Sequence, residues 1–222
     1  MKSLAQTAGV LALVAMAYTA QASYIYNNST NDLGQRLVAS DGLWFGDELI
    51  LDGTDRFMTH FDFQFWATNT SGLTIDVELR LQDGTPYNGY PSPGTLIYGY
   101  YGFGLSDTPR STLNFDIADL DLFDGLGDGG TYIAGNVLTL AIRFNNIGSG
   151  QAGVDLYTPV DVGGSYPDYW QFVSGQWQLT TNNVFSTVNF GARIEAIPEP
   201  SAFAILALAG VLGLAGRRYL RK

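Results

Sequence analysis

The chain has 222 residues, enough for one domain of ordinary size, and contains no cysteine. Disulfides, thiolate zinc sites and a cysteine nucleophile are therefore excluded. The formal net charge is −10 at pH 7, but residues 23–196 alone hold six arginines, no lysine and twenty carboxylates, a net of −14. Such a body repels nucleic acid and anionic lipid, which argues against a nucleic-acid-binding function.

At the N-terminus Lys2 supplies a positive charge, and an apolar stretch follows that is densest from Val10 to Ala17. Ala20-Gln21-Ala22 then places small residues at the two positions a signal peptidase reads. The pattern predicts a secretory signal peptide over residues 1–22, with cleavage after Ala22. The competing reading, a membrane anchor, suffers from the shortness of the apolar run. Export without disulfides leaves stability to the core, and residues 23–196 are long enough to bury one.

That body reads as a single all-β domain. Phe57, Phe61, Phe63 and Phe65 alternate with His60, Asp62 and Gln64, the period of a strand with one wet face. From Leu73 to Gln82 the alternation is cleaner: Leu73, Ile75, Val77, Leu79 and Leu81 point one way, and Asp76, Glu78 and Arg80 the other. Leu138, Leu140, Ile142 and Phe144 form another such row. Val184, Ser186, Val188, Phe190, Ala192 and Ile194 form a last one that ends before the tail. Shorter strands are expected at Glu48–Leu51, Leu96–Tyr101, Thr112–Ile117, Val154–Tyr157, Tyr169–Val173 and Gln176–Thr180. Turn chemistry separates them, as in Asp83-Gly84, Pro91-Ser92-Pro93-Gly94 and the hairpin signal Ser174-Gly175. The best helical window, Phe115–Leu126, is crowded with Asp and followed by glycines, so a loop is expected there. Nine or ten strands predict a two-sheet antiparallel sandwich, jelly-roll-like by preference and immunoglobulin-like as the second choice.

Pro198 and Pro200 break any strand or helix that reaches them, and Ser201 offers a helix cap. Ala202 to Gly216 is then wholly apolar or glycine. As a helix it spans roughly 22 Å at about 1.5 Å per residue, against a hydrocarbon core of roughly 30 Å. Arg217, Arg218, Arg221 and Lys222 follow at once, a cluster that favours the cytoplasmic side and whose stems extend the span. The expectation is a C-terminal transmembrane helix over 202–216 with a basic tail and the body on the far side. A buried helix of the soluble fold is the alternative, but this one has no polar face to show to water.

Pro198-Glu199-Pro200, a short apolar segment and Arg217-Arg218 at the extreme C-terminus resemble the PEP-CTERM sorting signal. The resemblance covers residues 197–222. It implies an exported protein of a Gram-negative bacterium, held transiently in the inner membrane. There an exosortase, a polytopic transpeptidase-like enzyme, would cut near Pro-Glu-Pro and release the body to the cell surface or the extracellular polymer matrix. Signal peptidase and exosortase are then processing partners, and exopolysaccharide a neighbour, since such proteins often accompany exopolysaccharide gene clusters. The bodies that carry this tag are diverse, so it implies an address and not an activity. Gly46-Asp47-Glu48-Leu49-Ile50-Leu51, Ser165-Tyr166-Pro167-Asp168-Tyr169-Trp170 and Asn189-Phe190-Gly191-Ala192-Arg193 loosely resemble uncharacterised β-sandwich domains attached to the same tag. That likeness implies a fold and no catalytic residue.

Residue chemistry points away from catalysis. His60 is the only histidine and falls on the wet side of its strand; Gly163-Gly164-Ser165-Tyr166-Pro167 fails as a nucleophile elbow at its last position. Asp76 and Glu78 share a strand face, as a glycosidase pair requires, but read as solvated strand residues. Asp116, Asp119, Asp121, Asp124 and Asp128 lead into Gly129-Gly130, and carboxylates in a glycine-rich loop suit Ca²⁺. Phe123 and Asp124 break the EF-hand pattern, so a structural calcium ion is the one cofactor considered, beside a plain solvated loop. The aromatic run from Tyr87 to Gly104 is the binding candidate: Tyr87, Tyr90, Tyr98, Tyr100 and Tyr101, joined by Trp170 and Trp177, offer faces for sugars. Core and cross-strand packing is the competing use of the same rings. The expectation is a non-enzymatic structural or adhesive protein, with a carbohydrate-binding module for exopolysaccharide as the alternative and a hydrolase with an unrecognised acid pair as the third.

Overall fold

Alternating apolar residues give most strands one face to bury, and the chain builds two sheets that bury those faces against each other. The computed structural model describes residues 22–117, 131–180 and 187–198. In chain order the strands are β1 (Ser23–Asn27), β2 (Asp32–Val38), β3 (Phe45–Ile50), β4 (Phe57–Thr68), β5 (Thr74–Leu81), β6 (Leu96–Gly104) and β7 (Thr108–Asp116). After residues 118–130 come β8 (Thr131–Tyr132), β9 (Val137–Asn145), β10 (Gln151–Tyr157), β11 (Gly164–Ser165), β12 (Tyr169–Val173), β13 (Gln176–Thr180) and β14 (Ala192–Ile197). The described residues form no helix.

Each sheet has seven strands, and all pairings are antiparallel. The first is centred on β4. One edge of β4 pairs with β7 and β8, and the other is shared by β14, at Phe57–Phe63, and β10, at Phe65–Thr68. β1 lies beyond β14, and β2 beyond β10. The second sheet runs β13-β12-β3-β9-β5-β6, with β11 also on β3. The expected two-sheet antiparallel sandwich is thus present. Its largely aliphatic core contains an aromatic seam between the sheets. Phe61 of β4 stacks on Phe115 of β7 with ring centres 4.5 Å apart, and both meet Tyr98 of β6 edge-on at 5.2 and 6.0 Å. Farther along, Phe45 of β3 meets Phe190 at 5.6 Å.

The predicted hairpin is in place. Ser174 and Gly175 both take positive φ, 53° and 83°, as a two-residue turn of the primed type needs to match the strand twist. Two expectations need correction. Phe57 is outside the core cluster, because Thr59 is an extra residue in the pairing with β14, and the slip turns Met58 inward in its place. The last strand also begins later than the alternation suggested, at Ala192 after Gly191. Val188 and Phe190 keep their inward faces, and residues 184–186 lie outside the described residues.

Candidate functional site

The outward residues of both sheets form acid–arginine pairs. On the first sheet the buried Asp155 of β10 receives Arg36 of β2 at 3.0 Å and Arg110 of β7 at 3.2 Å. Arg110 reaches on to Asp32 at 2.7 Å, and Arg36 lies over the Trp66 ring at 4.9 Å. Beside them Asp62 is gripped by Arg193 at 2.7 Å, and His60 approaches the same carboxylate at 3.4 Å. The single histidine therefore stands next to an acid already committed to an arginine, on the outward side where the alternation put it.

Asp76 and Glu78 of β5 share the outward face of the second sheet as expected, but they are buried and not solvated, at 4% and 6% exposure. The reason is that neighbouring groups close over them. Asp76 accepts from Arg143 (2.7 Å), Asn145 (2.9 Å) and the Gly102 N–H (2.7 Å); Glu78 accepts from Arg80 (2.6 Å) and the Tyr101 hydroxyl (2.8 Å). Burial alone would raise the Asp76 pKa, but these donors outweigh it and hold the carboxyl below its usual range. The last body arginine, Arg56, donates to the carbonyls of Asp52, Gly53, Asp55 and Gly135 and to Asn136 Oδ1. All six arginines of the body are thus engaged within the fold.

One group of outward residues is differently placed. Glu48 of β3 sits opposite Thr139 of β9, and Gln82 follows β5 directly. The Gln82 amide nitrogen donates to Glu48 at 2.5 Å and to Thr139 at 2.9 Å, which fixes the amide and leaves its oxygen buried without a partner. Asp168 Oδ1 is also buried and unpartnered, as is the indole N–H of Trp170. Trp170 pairs with Gly46 on the outward face and belongs to no part of the core cluster, yet is fully buried. Burial raises the Glu48 pKa; the indole of Trp170, near the carboxylate but short of good hydrogen-bond geometry, offsets part of the rise, and the Asp168 charge adds to it. Burial also raises Asp168. Neither carboxylate meets an arginine among the described residues.

Glu48, Gln82 and Asp168 line a cleft of about 740 Å³ at the end of the second sheet. Its walls are held by the fold. The segment with Tyr90 and Pro91 is pinned where Asp83 accepts from the N–H and hydroxyl of Thr95, both at 2.6 Å, and the segment with Gly135 and Asn136 is pinned by Arg56. Tyr90 and Tyr166 stand at the rim, 60% and 47% exposed.

The aromatic residues expected to bind sugar do not form one platform. Tyr90 lines the large cleft. Tyr87 and Trp177 come together with Phe172 in a smaller cleft of about 200 Å³. Tyr100 leans on Phe103 and Phe115, and Tyr101 is exposed but ties its hydroxyl to Glu78. Tyr98 and Trp170 present no face to a ligand: Tyr98 is packed between Phe61 and Phe115, and Trp170 is covered on its sheet. Glu48, Gln82, Asp168 and Tyr166 were not singled out by the sequence, although Tyr166-Pro167-Asp168 stands beside Trp170 in it.

Asp116 is exposed at the end of β7, while Asp119, Asp121, Asp124 and Asp128 lie outside the described residues. Among the described residues no three metal-ligating side chains gather. Pro198 is exposed just after β14. Glu199, Pro200, Arg217 and Arg218, residues 1–21 of the signal peptide and the expected span 202–216 lie outside the described residues. Known families add one match: the model of the PEP-CTERM protein-sorting motif fits residues 196–222. No curated protein and no solved structure matches the chain.

Proposed function

We propose that this chain, which carries a PEP-CTERM sorting motif at residues 196–222, works at the cell surface or in the extracellular matrix as a non-enzymatic structural or adhesive component. The motif implies sorting by an exosortase. The observation that carries the proposal is where the described strands end. β14 pairs with β1 up to Ala196 and with β4 up to Ile197, and the next residue is the exposed first proline of the motif. A cut near Pro198-Glu199-Pro200 therefore removes none of the described strands, and their pairings are kept on release. A structural role is supported by the use of the body's arginines, all engaged within the fold, and by the acid beside the single histidine being already held by Arg193.

Replacing Pro198, Glu199 and Pro200 by alanine tests the proposal. The variant is expected to fold and to stay with the inner membrane at full length, while the parent chain reaches the surface shortened. Equal release of both would contradict it.

A second reading, a carbohydrate-binding module, is favoured by the cleft of Glu48, Gln82 and Asp168. It has an aromatic rim, fixed walls and unpartnered polar atoms, and its volume lies within the range of ligand sites.

A further inference from the structure

We infer that the cleft at the end of the second sheet binds a sugar bearing a free amine, its ammonium seated among Glu48, Asp168 and the Gln82 side-chain oxygen. The inference rests on the carbohydrate-binding reading and names the ligand class of that site. The unpartnered atoms of the floor decide the chemistry. Gln82 Oε1 and Asp168 Oδ1 are buried acceptors without donors, and Glu48 has one donor, the Gln82 amide. A buried acceptor left unpaired is costly, so a ligand that brings donors is favoured over one that brings acceptors. An ammonium brings three.

Charge points the same way. Two desolvated carboxylates stand close enough for one to raise the other, and the nearby cations are spent elsewhere: Arg80 on Glu78 and Gly94, Arg56 on the loop carbonyls behind Asn136. Asp83, at the edge, is occupied by Thr95. A uronate, sulfate or phosphate group would enter against this field. A bare divalent cation fits less well, because the floor supplies two carboxylates and one amide oxygen where calcium takes about six to eight oxygens. The rim supplies what a sugar ring needs, the exposed faces of Tyr90 and Tyr166.

The test is calorimetric titration of the full-length chain in detergent micelles at mildly acidic pH, where the sugar amine is charged. The probes are a glucosamine tetramer, its N-acetylated counterpart, a galacturonate tetramer and a lysine tetrapeptide. The glucosamine tetramer is expected to bind, the N-acetylated one at least about tenfold more weakly, and the other two weakest. Glu48→Gln and Asp168→Asn should each lower glucosamine affinity by about tenfold or more without lowering the melting point, since each removes a charge that burial disfavours. Tyr90→Ala, at the exposed rim, should weaken both sugar tetramers and serves if a floor variant does not fold. Equal affinity for both sugar tetramers would overturn the ammonium seat and leave the carbohydrate-binding reading standing. No binding of either would overturn both. A lysine peptide that binds as well as the glucosamine tetramer, or glucosamine binding unchanged in the floor variants, would overturn the inference.

Discussion

Asp47 and Asp76 are both buried acids, and their surroundings give them opposite effects on stability. Asp47 lies between the sheets, fully buried, with the Phe190 N–H at 2.7 Å, the Ser165 hydroxyl at 3.0 Å and no arginine. Burial dominates and pushes its pKa well above the usual value. A raised folded pKa means a contribution that is fully present below the unfolded value, about 4, and is lost as pH rises through the folded one. At neutral pH burying this carboxyl opposes folding. Asp47→Asn keeps an oxygen for Phe190 and gives the hydroxyl of Ser165 an N–H, so it should raise the melting point at neutral pH, with the gain shrinking toward about pH 4. Asp76 has the reverse sign. Its pKa is held low, so its contribution is present above about pH 4 and is lost as pH falls through the folded value. Arg143→Ala should therefore cost about 1–3 kcal/mol near neutral pH and much less in acid, read by denaturant melts across pH. The alternation did not place Asp47, since the expected strand Glu48–Leu51 began just after it. It could not show that Arg143, far along the chain, would cover Asp76.

At the scale of elements, the strands with unbroken alternation were legible: β5 and β9 to within a residue or so, and β12 and β13 with their turn. β1 and β2 were not. β1 is short and slips register between Tyr24 and Tyr26, and β2 buries only Leu37 fully, so neither writes a period-two pattern. Their positions depend on partners remote in sequence, β14 and β10. The junction of β2 and β10 has a strict steric requirement. A Cβ on Gly153 would stand 2.0 Å from the Leu37 carbonyl oxygen and 3.2 Å from the Val38 Cα. Both are backbone atoms, so only separation of the strands relieves the overlap. Gly153→Ala should lower stability by about 1–3 kcal/mol or more, seen as a lower denaturant midpoint. The candidate site was partly hidden for the same reason: Glu48, Gln82 and Asp168 meet only after three separate segments converge, and the sequence offers no spacing that links them.

At the scale of the molecule, the acidic body pairs its arginines within the fold, and its last described strand ends where the sorting motif begins. The tail was the most legible part of the sequence, because charge order, apolar length and prolines are local signals. The body's role is less legible, since it depends on outward side chains brought together by two interleaved sheets. Sorting of this chain to the surface requires processing at both ends. Intact-mass measurement of the protein recovered from the cell surface or matrix tests it most directly. The predicted product begins at Ser23 and ends near Pro198–Pro200, with every described strand retained. A surface-derived product that still contains Lys222 would contradict it.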